Sequence, residues 1–240
     1  MVVIFARRPA MPKYQHLFFD LDHTLWDFAT NEQVTLKNLF QRYRLDKHFS
    51  DFKAFFAIYQ VINSDLWLRY RNKLITKTQL NTGRFHQTFL TGGLNSETMA
   101  KNFAADFIRE NALQTTLMPH TIEVLDYLKP RYHMHIITNG FVETQQLKLD
   151  ESGLSPYFER LFVSEQVGAQ KPRRAFFEYA IKSCNARKKE SLVIGDSLDA
   201  DIQGAKNFGL DHVYFNPAKI KHNETVHKEI SSLRELMDLL

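Results

Sequence analysis

The sequence predicts an α/β protein, in which a doubly wound parallel sheet of Rossmann-like form carries a separate helical domain. Three observations lead to this fold class. Residues 15–22, QHLFFDLD, form a short apolar run that ends in two carboxylates, as expected of a buried strand. Residues 29–115 have a helical pattern almost without strand signals, and strand and helix patterns alternate after residue 117. Such alternation predicts parallel strands joined by crossover helices.

The helical segment is expected to contain about four helices. Two of its apolar stripes have the i, i+3, i+4, i+7 spacing of an amphipathic helix. These stripes are Leu36, Leu39, Phe40 and Tyr43, then Phe52, Phe55, Phe56 and Tyr59. Thr76 with Gln79 predicts a capping box, and Asn95 or Ser96 is placed to cap the last helix. Stripes of this kind usually pack in a core, so we interpret these aromatic residues as the core of the segment.

Beyond residue 117, strands are predicted at 133–138, 161–164, 191–195 and 212–215. Helices are predicted at 119–130, 143–151, 172–184 and 199–208, with Gly209 ending the last of these and Ser232 with Glu235 capping a final helix. We therefore predict a core domain of residues 12–28 and 117–240 and a helical cap domain of residues 29–116. His133 and His135 share one face of a predicted strand, and we interpret both as structural.

Composition limits the function classes. Hydrophobic residues make up 44% of the 240 residues and charged residues 24%, which is ordinary for a globular protein. The single cysteine, Cys184, excludes an internal disulfide and a four-cysteine zinc site. The net charge is +4, but the basic residues are scattered among 27 acidic ones, so we expect no nucleic-acid partner. No apolar segment is long enough for a bilayer, so a cytoplasmic enzyme, monomeric or homodimeric, is expected.

Polar residues stand at the predicted strand ends and helix starts, where ligands of an open parallel sheet bind. They are Asp20, Asp22, Thr24, Thr138, Asn139, Lys171, Asp196 and Asp201. Several carboxylates at one point repel each other unless a cation neutralises them, and oxygen ligands without histidine or cysteine suit Mg²⁺. Lys171, Thr138 and the backbone near Asn139 can hold phosphate oxygens. A carboxylate beside a metal-bound phosphate is a competent nucleophile. The residues therefore indicate phosphoryl chemistry with magnesium.

In their order and setting, these residues resemble the four motifs of the haloacid dehalogenase superfamily. The matching segments are Asp20-Leu21-Asp22-His23-Thr24, then IITNG with Thr138, then Lys171-Pro172, then Gly195-Asp196-Ser197 followed by Asp201. The resemblance covers the chain beyond about its first dozen residues. The helical segment matches the cap that this superfamily places between its first and second motifs.

The resemblance implies a role for each matching residue. Asp20 would attack phosphorus and form an aspartyl-phosphate, and Asp22 would act as acid and then base. Magnesium would be held by Asp20, the backbone carbonyl of Asp22 and Asp196, with Asp201 and Thr24 supporting these ligands from behind. Thr138, Asn139 and Lys171 would bind the phosphate.

Four segments resemble the sequences of the bacterial pyrimidine 5′-nucleotidase branch. They are FFDLDHTLWDF, IITNGF, GDSLDADIQGAKNFG and VYFNP. This implies a nucleoside 5′-monophosphate as the small-molecule substrate. Three alternatives stay open: a sugar-phosphate phosphatase, a phosphomutase of the same fold and an inactive regulatory binding protein. Dehalogenation is disfavoured, because dehalogenases lack the second aspartate of the first motif, which is Asp22 here. Trp26 and Phe28 can stack on a base, although core packing explains them equally. Met11 lies just before the first strand, at a distance more usual for the N-terminus in this family than that of Met1. We therefore expect residues 1–10 to be dispensable.

Overall fold

A computed structural model describes residues 13–240 of the chain. The predicted start of the core at residue 12 and the expectation for residues 1–10 lie outside this range. The chain forms two compact units. The first, here called the sheet unit, comprises the described residues up to Leu25 together with Pro119–Asn139 and Pro156–Leu240. The second, the helical unit, comprises Trp26–Met118 and Gly140–Ser155. The domain boundaries given above stay a prediction.

The sheet unit contains six parallel strands in the order β3-β2-β1-β4-β5-β6. Their bounds are β1 His16–Phe19, β2 His133–Thr138, β3 Arg160–Val163, β4 Ser191–Gly195, β5 Asp211–Phe215 and β6 Lys228–Ile230. The predicted doubly wound parallel sheet is thereby confirmed. The three-residue β6 was not predicted, because a strand this short has no measurable alternation. The first strand ends at Phe19, and a turn begins at Leu21, whose carbonyl accepts the N–H groups of Thr24 and Leu25 at 3.3 and 3.0 Å.

The helices of the sheet unit follow the predicted alternation. They are α5 Thr121–Leu128, α7 Ser164–Val167, α8 Arg174–Ser183, α9 Gln203–Phe208 and α10 Leu236–Leu239. The predicted helix at 199–208 begins with a π-helical turn, Leu198–Ile202, and ends at Gly209 in the left-handed region with φ 83°. The capping box of Ser232 and Glu235 is confirmed. On one face of the sheet, Phe18, Ile137 and Val193 pack in a core with Phe176 and Phe208 from α8 and α9.

The four predicted helices of the helical unit are present. They are α1 Phe28–Arg42, α2 Phe52–Arg71, α3 Lys77–Thr91 and α4 Glu97–Ala112, and the unit also includes α6 Val142–Glu151. Thr76 and Gln79 form the predicted capping box, and Ser96 rather than Asn95 caps α4. Leu36, Leu39, Phe55, Tyr59 and their neighbours form one buried cluster, which confirms that the apolar stripes are core.

Two passages of the chain are tied together within the helical unit. Trp26 forms an antiparallel bridge with Leu117, and its indole N–H donates to the carbonyl of Gln114 at 3.0 Å. The Asn31 side chain bonds both backbone groups of Thr116, at 2.9 and 3.2 Å. Trp26 is fully buried and therefore belongs to the core. Among residues 13–240, no helix is both long and apolar enough to cross a membrane.

Candidate active site

The carboxyl ends of β1 and β4 form the topological switch point of the sheet. From β1 the chain adds β2 and β3 on one side, and then β4, β5 and β6 on the other. Phe19 pairs with Ile136 on β2 and with Ile194 on β4, so the three strands end at nearly the same level. The N–H of Asp20 donates to the carbonyl of Ile194 at 2.9 Å. In open parallel sheets this is the place where ligands bind.

A buried lysine joins two carboxylates at this point. Lys171 Nζ lies 2.5 Å from Asp20 Oδ1 and 2.6 Å from Asp201 Oδ1, and it also donates to the carbonyl of Ile137 at 2.8 Å. Lys171 is only 3% exposed and Asp201 only 1%. All three donors of the ammonium are thus used, so the lysine holds the carboxylates in fixed positions.

Asp196, directly after β4, completes a group of three acidic residues. One carboxylate oxygen from each of Asp20, Asp196 and Asp201 lies within 4.8 Å of the other two. The Thr24 hydroxyl donates to Asp196 Oδ1 at 3.0 Å, and Thr24 itself is fully buried. The threonine therefore fixes the orientation of the Asp196 carboxylate.

Asp201 is held from both sides. Its Oδ2 accepts the backbone N–H of Ser197 at 3.1 Å, while its Oδ1 faces Lys171. Gly195 leaves the space for this carboxylate, because a Cβ at position 195 would lie 2.5 Å from Asp201 Cγ. Both oxygens of Asp201 thus already have protein partners, whereas Asp196 accepts one side-chain hydrogen bond from residues 13–240, that of Thr24.

The electrostatics of the group favour binding of a cation. Burial raises the pKa of Asp196 to about 6, and the neighbouring charge of Asp201 adds to this effect. Burial also raises the pKa of Asp20, against the opposing charge of Lys171. For Lys171, burial disfavours the charged form, but the charges of Asp20 and Asp201 outweigh it and raise its pKa. Three carboxylates share one lysine, so the site carries excess negative charge.

The donor set fits magnesium. It offers carboxylate oxygens without histidine or cysteine, which are the ligands of hard divalent cations. A bound cation would offset both the burial and the mutual repulsion that raise the pKa values of Asp20 and Asp196. We expect Asp20 and Asp196 to hold the ion, because Asp201 is already engaged by Lys171 and Ser197.

Comparison with known proteins identifies the family of the chain. Residues 14–209 match the family described as haloacid dehalogenase-like hydrolase. The chain belongs to this hydrolase family. It is similar to the pyrimidine 5′-nucleotidase PynA of Streptococcus pneumoniae, with 35% identity over 231 residues that cover 95% of each chain. The pyrimidine 5′-nucleotidase YjjG of Escherichia coli is also 35% identical over 231 residues, covering 95% of this chain and 98% of its own.

A solved structure shows the same architecture. The putative HAD-hydrolase YfnB of Bacillus subtilis, in a crystal form bound to magnesium, has a TM-score of 0.85 and 30% identity. The match covers 95% of this chain and 99% of that one. L-2-haloacid dehalogenase from Xanthobacter autotrophicus, at 16% identity and a TM-score of 0.72, shares the fold.

The structure of the hydrolase also places the remaining predicted residues. Thr138 ends β2 and is buried. The side chain of Asn139 holds the backbone of Lys171: its amide N–H donates to the Lys171 carbonyl at 3.0 Å, and its Oδ1 accepts the Lys171 N–H at 2.9 Å. Phosphate binding by the backbone near Asn139 stays a prediction. Asp22 is half-buried, and His23 after it is exposed with φ 67°. Asp199, which does not fall on a motif, is exposed.

Several contributors to the hydrolase site were missed in the sequence. The carbonyl of Ile137 and the N–H of Ser197 are backbone groups, and these leave no residue-type signal. Gly195 was noted only as part of a motif, although a glycine directly before a strand-end aspartate is a signal of close approach. The clamp from Asn139 to Lys171 joins residues 32 positions apart and needed the tertiary structure.

Proposed function

We propose that this hydrolase is a magnesium-dependent phosphatase that hydrolyses nucleoside 5′-monophosphates through an aspartyl-phosphate on Asp20. One observation carries the chemical part of the proposal. A buried lysine fixes one oxygen of Asp20 at 2.5 Å beside a second, half-buried carboxylate, Asp196, at the switch point of the sheet. A carboxylate held in this way is positioned for attack, and the positive charge of Lys171 favours its ionised form.

In the first step, the Asp20 carboxylate attacks phosphorus and forms a new P–O bond while the ester P–O bond breaks. Asp22 gives its proton to the leaving alcohol oxygen. Lys171 balances the charge of Asp20 before the attack and of the phosphoryl oxygens afterwards. The Thr138 hydroxyl, at the end of the neighbouring strand, is the further donor expected to bind a phosphoryl oxygen.

In the second step, Asp22, now a carboxylate, accepts a proton from water. The water oxygen attacks the phosphorus of the aspartyl-phosphate, the P–O bond to Asp20 breaks, and phosphate leaves. Asp22 regains its proton and Asp20 its charge, so both are ready for another cycle. A dehalogenase needs no such acid, which is why Asp22 favours phosphate esters over haloacids.

Magnesium, held by Asp20 and Asp196, would offset the negative charge that keeps carboxylate and phosphate apart. Thr24 and Asp201 would not bind the ion but would orient the residues around it. Thr24 orients Asp196 through the 3.0 Å hydrogen bond, and Asp201 fixes the lysine at 2.6 Å. The magnesium that accompanies the similar hydrolase from Bacillus subtilis supports this part of the proposal.

The substrate class rests on the relatives. Two proteins that are 35% identical over almost the whole chain are named pyrimidine 5′-nucleotidases. Relatives named glyceraldehyde 3-phosphate phosphatase are more distant, at 27–28% identity. Nucleotides are therefore favoured over sugar phosphates.

The test is phosphate release from UMP, dUMP, AMP and ribose 5-phosphate, with and without MgCl₂. Wild type is compared with Asp20→Asn and with Asp199→Asn, a matched control on an exposed aspartate near the site. We expect magnesium-dependent release that is fastest with the pyrimidine nucleotides, absent in Asp20→Asn and retained in Asp199→Asn. Release from ribose 5-phosphate alone would refute the nucleotide assignment, and no release from any ester would refute the phosphatase.

A further inference from the structure

We propose that His16, His133 and His135 bind a Zn²⁺ ion at the amino edge of the sheet, at the opposite ends of the strands from the acidic group. The site lies within the sheet unit. It goes beyond the proposed function, because the phosphatase chemistry uses none of these residues. The sequence places two histidines on one face of a strand, and the structure brings a third imidazole beside them.

The third imidazole is that of His16, the first residue of β1. His16 pairs with His133 on the neighbouring β2, and Phe18 pairs with His135. Because side chains alternate along a strand, the three histidines project from the same face of the sheet. Asp20 follows the other end of β1, about 13 Å of strand away from His16. The histidines and the acidic group are therefore separate sites.

The spacing of the three rings suits a single ion. Nδ1 of His16 and Nε2 of His135 lie 3.1 Å apart. The ring centroid of His16 lies 5.0 Å from that of His133 and 5.4 Å from that of His135. Tetrahedral zinc with Zn–N bonds of about 2.0 Å places ligand nitrogens about 3.3 Å apart and imidazole centroids about 5 Å apart. The cluster thus has nearly the dimensions of a three-histidine zinc site.

Hydrogen bonding alone leaves this cluster poorly satisfied. A single hydrogen bond joins His16 to His135, and Nδ1 of His135 has no partner although the residue is only 1% exposed. The rings of Phe18 and Phe162 lie 4.9 and 6.3 Å from this imidazole, so an apolar side chain would suit the packing. Buried polar groups are normally paired, and a metal ligand is the further task that explains an imidazole here.

His133 is the ligand that must move. It is exposed, and its Nδ1 lies 2.6 Å from Oε1 of Glu159, which directly precedes β3. Among residues 13–240, only the acidic group has three possible ligand atoms within 4.8 Å of one another, so the ring of His133 has to turn toward the other two. The bond from Nδ1–H to Glu159 leaves the lone pair on Nε2, and a carboxylate is a common outer partner of a zinc-bound histidine.

The chemistry of the ligands selects zinc over magnesium. Burial lowers the pKa values of His16 and His135, so both rings are neutral near pH 7, as a ligand must be. When the ion binds, the proton between the two rings moves to the outer nitrogen of its own ring, and both facing nitrogens present lone pairs. No proton is lost, and water takes the fourth position. Imidazole suits Zn²⁺, whereas Mg²⁺ prefers oxygen ligands.

The experiment is calorimetric titration with ZnCl₂ at neutral pH in excess MgCl₂. We expect wild type to bind one zinc ion at this site, and His16→Asn and His133→Asn each to lose it. Glu159→Gln should weaken the binding about tenfold, as loss of an outer partner does. The exposed His48→Asn is the matched control and should bind like wild type. Asp196→Asn, which alters the acidic group, should leave this binding unchanged.

Cobalt reports the coordination geometry independently of affinity. Co²⁺ in a tetrahedral nitrogen site absorbs strongly in the visible range, whereas octahedral Co²⁺ among oxygen ligands absorbs weakly. The wild type loaded with CoCl₂ should show the strong bands, and His133→Asn should not. Because His133 is exposed, this variant is expected to unfold in urea like wild type without metal, so that loss of the bands reports the ligand and not the fold.

The outcomes are independent of turnover. Loss of zinc binding and of the cobalt bands in both histidine variants upholds the inference and corrects the structural interpretation of His133 and His135. The inference is overturned if wild type binds zinc no better than these variants. It is likewise overturned if Asp196→Asn abolishes zinc binding and the histidine variants retain it, because the ion then belongs to the acidic group. Phosphate release enters none of these measurements, so the proposed function stands or fails separately.

Discussion

Replacement of Lys171 by methionine removes the positive charge of the site while keeping a side chain of similar length. In the native protein the ammonium lies 2.5 Å from Asp20 and 2.6 Å from Asp201, and it is 3% exposed. The variant leaves two carboxylates beside Asp196 without a compensating cation. Water cannot screen them well because the group is buried.

The expected loss of stability is large. Removal of one partner of a buried ion pair costs about 3–5 kcal/mol, because the remaining charge stays buried. Removal of the lysine also removes the neighbour that lowers the pKa of Asp20, so this pKa rises further above its unfolded value of about 3.9. A group with a raised folded pKa loses stability as pH rises. The destabilisation should therefore be small near pH 4 and complete by pH 8. Magnesium should restore about 2.7 kcal/mol at 100 times its Kd.

The assay is urea unfolding of Lys171→Met at pH 5 and pH 8, with and without MgCl₂. Lys182→Met is the matched control, because Lys182 has a 75% exposed side chain on α8. We expect the control to unfold like wild type under all four conditions. If Lys171→Met is as stable as the control at pH 8 without magnesium, the ion pairs do not hold the site as argued, and the reasoning is refuted.

Two further substitutions test single contacts. Gly195→Ala places a Cβ 2.5 Å from Asp201 Cγ, so it should cost about 1–3 kcal/mol in urea unfolding and reduce phosphate release. The control is Gly83→Ala in α3, whose Cβ would lie 3.6 Å from Leu66 Cδ1 of α2 and should instead stabilise the protein by about 0.5–1 kcal/mol. Equal effects of the two substitutions would contradict the steric argument. Burial, with a smaller contribution from His16, lowers the pKa of His135 to about 4, so the unfolded chain takes up a proton below about pH 6.5 that the folded protein does not. Burial of His135 should therefore cost the wild type about 3 kcal/mol of stability between pH 6.5 and pH 4, and His135→Phe should lose correspondingly less stability over this range. The exposed His48→Asn is the control, and an unchanged pH dependence in His135→Phe would show that burial of this imidazole is not the cause.

For His133 and His135, the sequence pattern predicts the face of the strand but not the burial of each side chain. The alternation of HMHIIT predicted a strand with both histidines on one face, and this agrees with β2. Within the structure, His135 is buried and lies 3.1 Å from His16 of β1, whereas His133 is exposed and bonds Glu159. The two residues share a face, but the neighbouring strand decides which of them is buried. The interpretation that both are structural stays a prediction.

Sequence alone determined the order of the elements and the placement of the acidic group. Local periodicity and caps fix where helices begin and end, and parallel strands necessarily bring their carboxyl ends to one edge. For this reason Asp20, Lys171, Asp196 and Asp201 could be expected near each other from their positions after strands and before helices. The roles assigned to them stay predictions until the proposed experiments are done.

Only the tertiary structure decided which atoms meet. The amide of Asn139 holds the backbone of Lys171, and Gly195 leaves room for Asp201, because chain segments far apart in sequence pack at those points. The pairing of Asn63 and Asn81 through Arg84 likewise depends on how α2 lies against α3. Local patterns encode which face of a helix is apolar, but the side chain that it meets is set by packing over the whole unit.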